Sequence, residues 1–303
     1  MRGFLLRTWH GDLGYSFRTS PVAMAAALIA FICLFCAVFA NVVAPHNPFD
    51  LATLELSDAF LPPLWLADGN PKYLLGTDDQ GRDILSALMF GARISLMVGL
   101  ASVALSAAVG VTLGLLAGFV GGTLDAFIMR VWDVMLSFPV ILIALLIAGV
   151  GRALFPNAPS AMVFGVLILS ISLTGWVQYA RTVRGSTMVE RHKEYVQAAR
   201  LTGVAPLRIM RRHVLPNVLG PVMVLATIQV ATAIITEATL SFLGVGAPPN
   251  SPSLGTLIQV GNKFLFSGNW WITVFPGLML VLIALSVNLL GDWLRDALNP
   301  RLR

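Results

Sequence analysis

The chain has 303 residues, 57% of them hydrophobic and only 12% charged, with a formal net charge of +5. Soluble domains carry roughly 25% charged residues, so a water-bathed globule is excluded and lipid is the main solvent. Backbone groups in lipid must be satisfied internally, which leaves helices or a closed barrel. Apolar runs of about 20 residues without period-two alternation decide for helices, so the fold class is an all-α integral membrane protein.

The first apolar run starts only after Pro21 and is too long for the core of a cleavable signal. Ser20-Pro21 fits an N-cap followed by Pro at the first helical position. Span one is Val22–Val43. It holds Cys33 and Cys36 at C-x-x-C spacing, with no His or carboxylate beside them, so they read as small packing residues rather than a redox or metal pair. A Pro- and Asp-rich segment follows, ending in a stretch that predicts a short helix capped near Asp79 or Asp83. Span two is Leu96–Val120, with Ser102, Ser106, Gly110, Gly114 and Gly118 on one stripe that permits close helix contact, within the chain or with a partner. Span three is Leu124–Val150, where Arg130 and Asp133 are spaced to pair and Phe138-Pro139 interrupts the run. Spans four to six are Met162–Ala180, Leu219–Val245 and Thr273–Leu294, the last containing Phe275-Pro276-Gly277. Both proline interruptions read as packing features of the spans.

Lys and Arg fix the orientation. Fourteen lie at the two termini and between spans four and five, against five on the other side, with Arg130 left aside. Both termini and the long basic loop are therefore expected in the cytoplasm. Net positive charge also suits nucleic acid, but this placement is that of membrane topology, so lipid is the expected partner and nucleic acid is not. Trp176, Trp270, Trp271 and Trp293 near span ends read as interfacial anchors. The chain divides into a cytoplasmic segment (1–20), a first span (21–44), a periplasmic loop (45–90), a core of five further spans (91–295) with a cytoplasmic loop at 181–218, and a tail (296–303).

That cytoplasmic loop contains EYVQAARLTGVAPLRIMRRHVLPN, residues 194–217. Tyr195, Ala198, Ala199 and Thr202 recur at helical spacing and make one small, smooth face. Gly203 suits a left-handed C-cap, Pro206 the first turn of a second short helix, and Pro216 its end. A solvated loop whose arginines only set topology would not need that face. Glu237 stands deep in span five, with Thr232, Thr236 and Thr239 near it and no basic residue in its span. An intramembrane carboxylate is a functional hypothesis. It is a possible pathway residue, or a helix-to-helix bond. His10, His46, His192 and His213 are scattered and make no metal-ligand spacing, so no metal site is expected.

Gln197-Ala198-Ala199, Gly203 and Leu215-Pro216 fall at the spacing of the E-A-A-x3-G-x9-I-x-L-P loop. That loop marks the permeases of importer-type ABC transporters, which the chain resembles. Two positions depart from it: Gln197 stands for Glu and His213 for Ile. Tyr195-Val196, Ala198-Ala199-Arg200, Arg212-His213 and Leu215-Pro216-Asn217 resemble the wording of the dipeptide, oligopeptide and nickel branch. So do Gly76-Thr77-Asp78 with Gly81-Arg82-Asp83 before span two, Ser241-Phe242-Leu243-Gly244, and Gly291-Asp292. The single long external loop resembles the C-type member of the permease pair.

The resemblance implies a type I importer permease fold with six spans and both termini inside. It implies a coupling element at Glu194, Gln197, Ala198, Ala199, Arg200, Gly203, Arg208, Arg211, Arg212, His213, Leu215 and Pro216. Expected partners are a sister permease forming a heterodimer, two ATP-binding subunits and an extracytoplasmic substrate-binding protein, docking at the external loop. The chain has no G-x-x-x-x-G-K-[ST]. ATP and Mg are therefore expected on partner ATPases, with no cofactor or catalytic residue in this chain. The substrate stays open among dipeptides, longer peptides, glutathione, nickel complexes and opines. The alternative is an ion-coupled secondary transporter acting without an ATPase, which would need internal repeats and ion ligands at mid-membrane.

Overall fold

The computed structural model describes residues 12–49, 54–248 and 250–298. Arg2, Arg7, Arg301 and Arg303 of the topology tally, with His10 and Asp50, lie outside them. The described residues form helices and connecting turns, with a single isolated bridge between Thr77 and Asp83.

A short helix α1 (Asp12–Thr19) leads into α2 (Pro21–Val38). Ser20 caps α2 by accepting from the Ala23 amide at 3.3 Å, with Pro21 in the first turn. After a break at Phe39 the run continues as α3 (Ala40–Val43). The break is bridged from elsewhere: Arg93 donates to the Ala37 carbonyl at 2.7 Å, the Val38 carbonyl at 2.9 Å and Asn41 Oδ1 at 3.0 Å. A guanidinium is favourable there because the carbonyls at a helix C-terminus are unpaired and carry its negative dipole.

The second span is the last two-thirds of α4 (Ile84–Val120), a 37-residue helix. At 1.5 Å per residue it is about 55 Å long, well beyond the ~30 Å of hydrocarbon. The separate short helix expected before span two is its first turns. Span three is not one helix: α5 (Gly122–Leu136) and α6 (Val140–Leu154) meet at 89° across Ser137-Phe138-Pro139. Next come α7 (Ser160–Glu190), α8 (Glu194–Leu201), α9 (Pro206–Ile209), a π-helical turn at Met210–Val214, α10 (Leu215–Phe242), α11 (Leu254–Asn262) and α12 (Trp271–Leu298). Among the described residues five runs are long and apolar enough to cross a membrane, six with α5 and α6 counted together.

Several boundaries move. The division at 90/91 falls inside α4, the start of the basic loop at 181 inside α7, and the tail at 296 inside α12. Hydropathy marks where lipid ends, whereas a helix runs on into water until a cap stops it. Pro276 lies within an unbroken α12, so it does not interrupt span six. The sequence reading also had no α11. That helix is too short to span, starts at a Ser253 cap and buries Leu254 and Leu257 against its neighbours.

Helix α4 packs lengthwise on α7, and α10 packs on α12, α4 and α7. The small-residue stripe of α4 makes the first contact. A Cβ added to Gly110 would lie 2.5 Å from the Trp176 carbonyl, to Gly114 2.5 Å from that of Ala180, and to Gly118 2.7 Å from Thr187 Cβ. The stripe is thus used within the chain. One core cluster runs from Val98 and Leu167 through Tyr179 to Val196, Ile209 and Val214 of the basic loop. A second gathers Cys33, Ile84, Leu96, Leu254, Trp271 and Ile283. Two tryptophans expected at the interface, Trp176 and Trp271, are core residues. The Trp271 indole donates to the Thr77 carbonyl at 3.1 Å. Arg130 and Asp133, expected to pair, are both exposed and make no ion pair; the ion pair of this region is Arg184 to Asp125, at 2.5 and 2.7 Å.

Candidate functional site

The basic loop is a folded element. Glu190 ends α7 and accepts from Lys193 Nζ at 2.6 Å and from the Tyr195 hydroxyl. That hydroxyl accepts from Asn217 Nδ2 at 3.0 Å, and Asn217 also donates to the His213 carbonyl at 2.7 Å. The end of α7, the start of α8 and the start of α10 are latched together by these bonds. Burial and the Glu190 carboxylate together push the Tyr195 phenol above its ordinary range, so it stays a donor.

Helix α8 ends in a Schellman turn. The Gly203 amide donates to the Arg200 carbonyl and the Val204 amide to the Ala199 carbonyl, each at 3.0 Å. Gly203 has φ +74°, which an L side chain tolerates poorly. A Cβ there would meet open space, so glycine is required by backbone conformation and not by close approach within the chain. Pro206 opens α9, and the π turn then carries the chain into α10. Inserted π turns often mark functional positions.

The smooth face expected from Tyr195, Ala198, Ala199 and Thr202 is divided. Val196 and Ala199 face the core, joined by Ile209, Met210 and Val214. Burying each of the Val, Ile and Met side chains stabilises by about 1.5–3 kcal/mol, and Ala199 by less, so the element is welded to the helices. Facing outward are Gln197, Ala198, Ala205 and two residues that sequence reading passed over, Leu201 at 89% and Leu207 at 63% exposed. Their signal was available: large apolar residues in a polar helix–turn–helix, on the side away from Val196 and Ile209. Arg200 lies over the Phe119 ring at 5.1 Å and is used within the chain. Arg208, Arg211 and Arg212 are exposed and in no ion pair among the described residues. Glu194 is exposed, and His213, Leu215 and Pro216 lie along the π turn and the start of α10.

The external motif is built differently. Asp78 Oδ1 accepts from the amides of Gln80 and Arg82 at 2.8 and 2.9 Å. Asp83 caps α4, accepting from the Ser86 amide at 3.0 Å and its hydroxyl at 2.5 Å. The Thr77 hydroxyl donates to the Asp58 carbonyl at 2.5 Å and accepts from the Leu61 amide at 2.8 Å. Gly76 and Gly81 have φ +82° and +75°, and a Cβ on either would come within 2.5 Å of a carbonyl oxygen. Burial pushes the Asp78 carboxyl above its ordinary range, against the pull of the Arg82 amide and guanidinium.

Glu237, offered as a possible pathway residue, presents no surface. It accepts from Ser95 Oγ of α4 at 2.7 Å and from Ser241 Oγ at 2.6 Å. The same two hydroxyls accept from the amides of Leu254 and Ala247. The carboxyl thus ties α10 to α4, to the start of α11 and to the turn after α10.

Residues 110–303 match the family model described as binding-protein-dependent transport system inner membrane component. The chain is 40% identical to the dipeptide transport system permease protein DppC of Haemophilus influenzae, over 91% of each chain. Against DppC of Escherichia coli strain K12 it is 42% identical, over 97% of this chain and 92% of that one. It is 39% identical to the di/tripeptide transport system permease protein DppC of Pseudomonas aeruginosa, over 95% and 91%. Among solved structures, the inward-facing MetNI methionine ABC transporter matches with a TM-score of 0.55 at 20% identity, over 70% of this chain and 96% of that one.

Proposed function

We propose a substrate class and an assembly for this chain, which belongs to the binding-protein-dependent transport system inner membrane component family and is a multi-pass permease subunit of a bacterial ABC importer. The substrate is a short peptide of two or three residues, the class carried in the names of the relatives. The same names support short peptides ahead of nickel complexes and opines. No finding favours an ion-coupled carrier.

The assembly is a heterodimer with a sister permease, two ATP-binding subunits on the α8–α9 side and a substrate-binding protein on the Gly76–Asp83 side. Hydrolysis of ATP with Mg belongs to the ATP-binding subunits. The observation that carries this is the two-faced coupling element. Its inner face, at Val196, Ile209 and Val214, belongs to the helix core, and its outer face exposes Leu201 and Leu207 beside Arg208, Arg211 and Arg212. A partner groove that takes the two leucines gains apolar burial. The rim arginines would add only about 0–1 kcal/mol each as exposed pairs. Movement of that partner reaches α7 and α10 through the bonds joining Glu190, Tyr195 and Asn217.

The test is affinity purification of the tagged chain from its own membranes in mild detergent, with dialanine uptake measured in the same cells. The expected result is co-purification of an ATP-binding chain and a second permease. Leu201→Asp should lose the first and keep the second. Retention of the ATP-binding chain by Leu201→Asp would refute the coupling assignment, and absence of dialanine uptake would refute the substrate class.

A further inference from the structure

A cleft of about 150 Å³ opens beside the α5–α6 break, walled by α4, α7 and α10. Leu136 and Val140, the residues flanking the break, lie on its edge. Ser102, Thr174, Gln178, Tyr179, Gln229 and Thr232 line it, and no lining residue is charged. That volume would hold about five waters at ~30 Å³ each.

Three observations leave this wall unfinished. First, Ser102 and Tyr179 belong to the lining, and their buried hydroxyls have almost no accessible surface and no hydrogen-bond partner among the described residues, so they are answered only when the wall opens to water or a solute. Unpaired buried polar groups are costly and rare. Second, Gln178 is exposed and Gln229 half-exposed on helices that cross the membrane, and neither carboxamide is bonded among the described residues. An amide facing hydrocarbon without a partner costs several kcal/mol, so this side meets water, a solute or another polar surface. Third, the backbone at Ser137-Phe138-Pro139 leaves helical form inside a span, and those residues are exposed. Non-helical backbone at membrane depth is tolerated where it is buried in protein or lines water. The threonines alone would prove little, because Thr232 and Thr236 bond back to their own helix at 3.2 and 2.8 Å.

We propose that this cleft is a peptide-backbone subsite of the transport passage, where uncharged donors and acceptors take the amide groups of a short peptide and leave its charges in water. It rests on the peptide-importer reading above. Hydroxyls and carboxamides match peptide N–H and C=O in both roles. A wall without fixed charge holds neither the ammonium nor the carboxylate end, nor a charged side chain. Passing peptides then meet similar weak contacts whatever their sequence.

The experiment uses the full transporter in proteoliposomes, with Cys33→Ala and Cys36→Ala as background. Thr232→Cys and Gln229→Cys are treated with a membrane-impermeant maleimide, beside Leu28→Cys on the exposed apolar face of α2. Uptake of dialanine, lysylalanine and glutamylalanine is measured for Tyr179→Phe and Gln229→Met. Tyr179→Phe removes a hydroxyl with no internal partner, so folding and assembly should be unchanged. Expected are labelling at 232 and 229 but not at 28, slowed by excess dialanine, and uptake of all three dipeptides about fivefold lower in each variant, the worth of one hydrogen bond. Peptide uptake by the parent with Thr232→Cys as inert as Leu28→Cys would overturn the subsite alone. So would unchanged uptake in both variants, or a loss confined to one charge class. No peptide uptake by the parent would overturn the functional reading and the subsite with it.

Discussion

Gly76–Asp83 and Glu194–Pro216 are both polar, both punctuated by glycine and both placed at helix ends, yet their side chains are spent differently. In the first, Thr77, Asp78 and Asp83 are consumed in turns and in the cap of α4, and added bulk on Gly76 or Gly81 would strike backbone. In the second, the inner residues anchor the element, while Leu201 and Leu207 are exposed, three arginines have no ion pair among the described residues and a Cβ on Gly203 meets nothing. One oxygen each of Asp79 and Asp83 is buried without a partner among the described residues, but a motif whose side chains are mostly spent on its own turns explains itself largely as structure. One that leaves apolar side chains in the open has a second surface still to meet.

The contrast breaks first at the glycines. Gly76→Ala should be the more damaging of the two glycine changes, because it adds both left-handed strain and a Cβ 2.5 Å from the Leu61 carbonyl oxygen. Strain and overpacking together cost about 2–4 kcal/mol. The measurement is thermal stability of the purified protein in detergent, with abundance in the membrane as a second reading. Gly203→Ala carries the strain alone and should cost about 1–2 kcal/mol. Equal losses at the two sites would dissolve the distinction.

The leucines sharpen it from the other side. Leu201→Asp should leave stability within about 0.5 kcal/mol, as surface changes do, while weakening capture of the ATP-binding chain by about 30-fold, the ~2 kcal/mol of an interface hot spot. Its mirror is Asp83→Ala, which should lower stability by about 1–2 kcal/mol through the lost cap and leave that capture unaltered. Paired thermal and co-purification measurements on both variants make the check.

Much of this was legible beforehand, and the exceptions have physical causes. Span number, the cap of α2 and the C-cap at Gly203 follow from hydropathy and backbone chemistry, which are local. Proline is not sufficient by itself. Pro276 is buried in a helix held by its neighbours and leaves it whole, whereas Phe138, Pro139 and Val140 are all exposed and the helix breaks there. The division of Ala198 from Ala199 depends on where α8 meets the core, which no eight-residue pattern contains. Glu237 reads as lacking a basic residue in its span because its partners are hydroxyls, Ser95 of α4 and Ser241 one turn on in its own helix. Glu237→Gln keeps an acceptor for those hydroxyls and should retain assembly. Glu237→Ala leaves both donors unanswered, at about 1–3 kcal/mol for each group so orphaned. The thermal midpoints of the two variants, measured side by side, separate these outcomes.

The smallest effect lies inside the external segment, where two aspartates should respond to pH with opposite signs. The Tyr73 hydroxyl, at 2.6 Å, and Lys72 beside it hold Asp58 below its ordinary range. Its contribution is therefore complete above the unfolded value of about 3.9 and is lost as pH falls through the lower folded one. Burial holds Asp78 above its ordinary range, so the folded state keeps that proton longer than the unfolded chain does. Stability then declines as pH rises from about 3.9 to the raised folded value. The two together favour a shallow maximum near pH 4 in a thermal scan of the purified protein. Asp58→Asn should shrink the acid limb, to which Glu190, despite its burial held below its ordinary range by Lys193 and the Tyr195 hydroxyl, still contributes, and Asp78→Asn should reduce the upper one. The second variant keeps an acceptor oxygen for the Gln80 and Arg82 amides, so its turn survives. If Asp78→Asn left the upper limb in place, the buried carboxyl would not be its source, and that limb would need another titrating group.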